Sequence, residues 1–219
     1  MLGTALLFLR SPRVVAAFTA RPACVKGHEI GVQYGRVKPG DVVAVIGTGP
    51  VGLGAIITSQ LYGPSKVIAI DLDANRVEQA KSFGATHGVV SSDADWKEQV
   101  MALTDGLGVD VAIEAVGIPA TFQMCIDVTR PGGTIANVGV HGGPVELPIH
   151  ELWISNIVLT TGLVNSNTTP MLLKMVEEGK IQPEKFVSHT FTLDQMMEAY
   201  DVFARAAETK ALKILITAT

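Results

Sequence analysis

From residue 38 onward, short apolar runs alternate with longer amphipathic stretches, and glycine or proline separates most of them. The β-branched run VVAVI at 42–46 predicts a buried strand, and the apolar segment 51–62 after a glycine-rich turn predicts a helix. KVIAI at 66–70 is a second strand. Asp73 is placed to cap a helix running to Phe83, with Gly84 as its stop. HGVV supplies a third, weaker strand, and Asp93 or Asp95 opens a helix to about residue 104. VDVAIEAV at 109–116 is the fourth strand, and a helix follows from Pro119 to about Arg130, ended by Pro131-Gly132-Gly133. TIANVGV and IVLTTGLV complete the series as the fifth and sixth strands.

Strand and helix alternate with short connections, the pattern of a parallel sheet covered by helices on both faces. Beyond Asn165 the rhythm changes. Thr169-Pro170 starts a helix with proline in its first turn, and Thr192 with Gln195 forms a capping box opening a helix to about Arg205. LKILI at 212–216 is a last apolar strand, joining the main sheet or a separate piece of structure. The expected division is an irregular leader or remnant at 1–29, a nucleotide-binding domain at 30–165 and a C-terminal helical and strand extension at 166–219.

Composition narrows the partners. The apolar fraction of 47% supports a sizeable core, whereas 17% charged residues falls below the roughly 25% usual for soluble domains. That shortfall implies surface buried against another subunit. A net charge of −4 without a basic run argues against nucleic acid. No stretch reaches the length of a membrane span. Two cysteines, Cys24 and Cys125, make no disulfide framework and fit a reducing compartment, taken as the cytoplasm. Between Met1 and Lys26 lie three arginines, one lysine and no acid, a weak likeness to an organelle transit peptide; LGTALLFL lacks the preceding charge of a signal peptide.

The chemistry concentrates in IGTGPVG. Gly47, Gly49 and Gly52 have the G-x-G-x-x-G spacing, after a strand and opening a helix, with Thr48, Pro50 and Val51 between them. The first glycine permits a tight turn, the second a close approach to a pyrophosphate, and the third close helix–strand packing. Helix N-terminal N–H groups then face the phosphates. Asp71, nineteen residues beyond Gly52, ends the second strand, where a carboxylate accepts ribose hydroxyls and disfavours a 2′-phosphate. NAD is therefore expected over NADP. Arg76 is either a receiver for a 2′-phosphate or part of a solvated helix face. S-adenosylmethionine enzymes share a glycine turn and an acid, but the proline in the turn and the six-strand layout favour a dinucleotide.

VKPGDVVAVIGTGPVGLGAI, VIAIDLDANRVEQAKSFGAT, GVDVAIEAVG and VTRPGGTIANVGV together resemble the cofactor domain of zinc-type medium-chain alcohol dehydrogenases. The resemblance covers roughly residues 29–217 and implies a Rossmann-type, doubly wound six-stranded α/β fold. It also implies hydride transfer between a small alcohol or carbonyl and NAD, and subunit pairing through the sixth strand. By position it implies cofactor contacts at Ala115, Val116 and Gly117, at Val138, Gly139 and Val140, and at Gly162, Leu163 and Val164; ordinary sheet core is the alternative for the apolar members.

The family's zinc-bearing catalytic domain precedes its cofactor domain, whereas only about forty residues stand before the first strand here. The position of one expected zinc ligand falls near Pro22, which cannot ligate. The implied reading is a truncated chain in which mainly cofactor binding remains, an NAD-binding module without its own catalysis being the alternative. Cys24, His28 and Glu29 in CVKGHEIGV are weak zinc candidates, since a helical Cys-x-x-x-His sets both ligands on one face. A bland surface segment is the expectation for them. His141, after the fifth strand, either touches substrate or cofactor or is a solvated loop residue, and Cys125 is expected in the core.

Overall fold

The computed structural model describes residues 20–218, so LGTALLFL and most of the expected leader lie outside the described residues. Its contacts divide the chain into Ala23–Ser166 and a second unit containing residues 167–218.

The first unit is built on six parallel strands: β1 (Val42–Ile46), β2 (Lys66–Asp71), β3 (His87–Val90), β4 (Val109–Glu114), β5 (Thr129–Asn137) and β6 (Val158–Thr161). Their spatial order is β3-β2-β1-β4-β5-β6, so the direction of winding reverses between β1 and β4. The doubly wound α/β fold expected from the pattern is thus present. The central strands are apolar on both faces because helices cover both; Val43 to Ile46 and Val67 to Ile70 are buried without alternation.

The connecting helices are α1 (Pro50–Ser59), α2 (Ala74–Lys81), α3 (Trp96–Ala102), α4 (Pro119–Val128) and the short α5 (Ile149–Leu152). Asp73 caps α2 by accepting from Asn75 N at 2.8 Å. Pro131-Gly132-Gly133 does not follow the helix as a terminating turn. It lies inside β5, which starts at Thr129 and changes register against β4 between Val109 and Val111. Asp110 secures these strand beginnings, accepting from Val42 N and from Arg130 Nε, both at 2.7 Å.

Residues 20–26 are helical and continue as a π-helix, Gly27–Gln33, where the sequence suggested an irregular leader. This run packs on α1 by backbone contact. A Cβ at Gly27 would strike the Ala55 N and Val51 O, and one at Gly54 would strike Ala23. Neither glycine has a conformational reason to be there; the approach of two helices requires both.

In the second unit, α6 (Thr169–Glu177) begins with proline in its first turn, and the capping box of Thr192 and Gln195 is formed. That box opens a short 3₁₀ turn, Leu193–Gln195, before α7 (Met196–Ala204) and α8 (Ala206–Thr209). β7 (Val187–Thr192), not read from the sequence, pairs in parallel with β8 (Lys213–Thr217). The final apolar run therefore forms its own two-stranded sheet and does not join the main one.

Gly27→Ala tests the helix contact. Its methyl would meet backbone, which cannot rotate away, so unfolding in urea should show a loss of about 1–3 kcal/mol, the range for overpacking.

Candidate functional site

Parallel register sets the ends of the central strands side by side. Ile46 pairs with Ile70 and with Glu114, and Glu114 pairs with Asn137. The residues just beyond this row are Gly47, Ala115 and Val138, with Asp71 closing β2. A crevice at the C-terminal ends of parallel strands, where winding reverses, is the place such a sheet offers a ligand.

A cleft of about 340 Å³ opens there. Gly47, Gly49, Asp71, Arg76, Ala115 and Val116 line it, bringing together residues from three separate sequence motifs. Leu72, Ser91, Ile118 and Thr121 line it as well and were not singled out in the sequence. Gly47 has φ +91°, and a Cβ at Gly52 would lie against the Gly47 carbonyl, so the turn and the start of α1 both exclude side chains. Gly49 differs. Its φ is −67°, and a Cβ there would meet no atom of the described residues within 4 Å. Nothing among the described residues calls for glycine at 49, whereas a ligand lying against this backbone would.

Asp71 organises the turn. Its Oδ2 accepts from Thr48 N at 2.7 Å and from the buried Thr48 hydroxyl at 3.0 Å, and its Oδ1 accepts from Asp73 N at 3.1 Å. Thr48 thus points inward, away from the cleft. Pro50 and Val51 form the first turn of α1.

The remaining expected residues lie apart from the cleft lining. Gly117 and Val138 are buried, while Val140 is 78% exposed and Leu163 is 89% exposed. Gly139 and Gly117 touch through their backbones; beyond β6, Gly162 is exposed and faces Tyr34, and Val164 is half-buried.

A residue the sequence reading passed over holds this region together. Glu114 is fully buried, and its Oε1 accepts from Val116 N at 2.9 Å, Gly117 N at 2.8 Å and the Thr121 hydroxyl at 2.7 Å. Its carbonyl accepts from Val138 N and Gly139 N. The signal was an acid inside an otherwise apolar strand, a position tolerated only with partners. His141 is not a solvated loop residue. Its side chain is only 14% exposed, stands edge-on to Phe122, and places Nε2 2.8 Å from Asn137 Oδ1. Cys125 is core, and burial pushes its thiol pKa well up, with the nearby Glu114 charge adding to the shift.

CVKGHEIGV is not a surface segment: Cys24, His28 and Glu29 are all buried. Glu29 Oε2 accepts from Asn165 N at 3.0 Å and Ser166 N at 3.1 Å, binding the chain beyond β6. The His28 ring lies 5.8 Å from that of Tyr62, and neither ring nitrogen has a hydrogen-bond partner among the described residues. Those residues contain no group of three or more His, Cys, Asp or Glu side chains arranged to hold a metal ion. The Glu29 carboxylate is turned to backbone N–H groups, so this segment does not fit a zinc site, which needs convergent ligands.

Residues 50–178 match the family model described as zinc-binding dehydrogenase. The chain belongs to this family, of the zinc-type medium-chain alcohol dehydrogenase class. It is 34% identical over 190 residues to an alcohol dehydrogenase of Cupriavidus necator, covering 85% of this chain and 52% of that protein. It is 35% identical over 167 residues to an NADP-dependent isopropanol dehydrogenase of Thermoanaerobacter brockii, covering 74% of this chain and 47% of that protein. The solved zinc-dependent alcohol dehydrogenase 2 from Streptococcus pneumonia is 54% identical with a TM-score of 0.85, covering 90% of this chain and 58% of that one. The chain thus spans about half the length of the curated relatives it matches.

Burial lowers the His28 pKa below the ordinary value of 6.5, outweighing the opposite pull of Glu29. The unfolded chain then binds a proton at higher pH than the folded one. Stability should fall as pH drops through 6.5 toward the folded value, then level off. His28→Phe removes the titrating group. In urea unfolding, the wild type should lose stability relative to this variant below pH 6.5, by at most about 1.4 kcal/mol per pH unit.

Proposed function

We propose that this chain binds NAD(H) in the cleft between the β1 turn and the loop after β4, as the cofactor-holding part of an alcohol dehydrogenase. The observation that carries the reading is Gly49: a glycine that neither its conformation nor packing among the described residues requires, at the N-terminus of α1 and on the cleft wall. A pyrophosphate there would face the free N–H groups opening α1. Asp71, on the same wall, suits an adenosine ribose, and its charge opposes a 2′-phosphate. Arg76 also lines the cleft and favours NADP, the cofactor named for the relative from Thermoanaerobacter brockii.

The proposed reaction is hydride transfer between a small alcohol or carbonyl compound and nicotinamide. Bound NAD would supply the hydride acceptor at its ring. This chain's own residues would grip the dinucleotide and fix its position: Gly47 to Gly52 at the phosphates, Asp71 at the ribose, and Ala115 to Gly117 with Val138 to Val140 along the far half. Gly162 to Val164 complete the proposed contact set beyond β6. No proton-transfer step is assigned to CVKGHEIGV, whose carboxylate anchors the Asn165 and Ser166 backbone and whose imidazole is buried beside Tyr62.

Self-association through β6 belongs to the same proposal. β6 is an edge of the main sheet, and Trp153, Ile154, Leu159 and Leu163 expose apolar surface around it. An apolar edge in water calls for a partner.

Fluorescence titration should show NADH binding more tightly than NADPH, and S-adenosylmethionine should not compete. Asp71→Gly should weaken NADH by about 1.5–3 kcal/mol and narrow the gap to NADPH. Equal wild-type affinities for the two cofactors would refute the NAD assignment. Light scattering at micromolar concentration should find a dimer or larger species, and a uniform monomer would refute the pairing.

A further inference from the structure

We propose that Glu114 is a positioning residue for the dinucleotide cleft: its buried carboxylate holds the wall formed by Val116 and Thr121 and ties it to the loop after β5. The inference rests on that cleft being the cofactor site.

Three donors converge on one oxygen. Val116 N, Gly117 N and Thr121 Oγ1 lie 2.9, 2.8 and 2.7 Å from Glu114 Oε1. Two of these residues, Val116 and Thr121, line the cleft, and the third turns the chain at φ +94°. All three donors therefore share one anchor atom. A free loop at this position would sample many backbone states, whereas one anchored through two N–H groups and a hydroxyl is set before the ligand arrives.

The second oxygen faces the other loop. Oε2 makes no hydrogen bond among the described residues but lies 3.7 Å from His141 Nε2. Asn137 fixes the state of that nitrogen. Its Nδ2 donates to Gly139 O at 3.2 Å, so its Oδ1 is the acceptor 2.8 Å from His141 Nε2. His141 Nε2 therefore carries hydrogen. That hydrogen is given to Asn137 Oδ1, and Glu114 Oε2 stands 3.7 Å from the same nitrogen. A Cβ on Gly139 would collide with the same oxygen, so the loop after β5 is shaped around the carboxylate. One buried side chain thus joins the ends of β4 and β5, and the chain just beyond β4 lines the cleft.

The test uses the full chain and four variants: Glu114→Ala, Glu114→Gln, Thr121→Val and Ile135→Val. NADH dissociation constants come from fluorescence titration, and hydrogen exchange of the Val116 and Gly117 amides from NMR. Glu114→Ala should raise the NADH Kd about tenfold and expose both amides to exchange while Ile113 stays protected. Glu114→Gln keeps an acceptor for all three donors and should restore protection and bring Kd to within about threefold of wild type. If Glu114→Ala does not fold, Thr121→Val, lacking one donor, takes its place with a Kd about threefold above wild type. Ile135→Val loosens the core without touching the cleft and should leave the Kd unchanged. The proposal is overturned if Glu114→Ala binds NADH as wild type does, if glutamine fails to rescue, or if Ile135→Val weakens binding equally. Wild-type chain that does not bind NADH at all removes the cofactor reading itself, and this inference with it.

Discussion

The β1–α1 turn depends on the absence of side chains at Gly47 and Gly52. With a Cβ at Gly52 pressed on the Gly47 carbonyl, α1 could not begin where it does. The rest of the first unit is layered on that contact. α1 lies close over β1, and the π-helix Gly27–Gln33 lies close over α1 through Gly27 and Gly54. Small residues bring three layers of backbone into contact, and the cleft forms at the edge of this packing.

A second device repeats at the strand ends. Asp71 accepts from Thr48 N and Asp73 N, Glu114 from Val116 N and Gly117 N, and Glu29 from Asn165 N and Ser166 N. Each carboxylate supplies acceptors to loop N–H groups that have left the sheet and lost their ladder partners. A carboxylate suits this task because it accepts from several directions at once. The loops over the C-terminal edge of the sheet are therefore fixed by charge as well as by packing.

Family membership and the geometry of the described residues separate on metal. The zinc-binding dehydrogenase match covers residues 50–178, and the chain spans 58% of the similar solved chain. Within the described residues, the histidine and acid that looked most like ligands serve packing and loop anchoring instead.

The sequence alone determined the parallel sheet, because strands buried on both faces need unbroken apolar runs and the helices between them need period and caps. It also identified Gly47, Gly52 and Asp71, whose roles follow from local sterics and from their distance apart. Tertiary structure alone decided the rest. β7, with its mixed Val-Ser-His-Thr-Phe-Thr composition, is a strand only because β8 lies beside it. Glu114 reads as one acid in an apolar run, and its partners come from two loops and the following helix turn. His28 and Glu29 read as a metal motif, because spacing along a chain records which groups are near in sequence. Only the packing of the π-helix against α1 and the folding-back of Asn165 and Ser166 determined what those groups face in space.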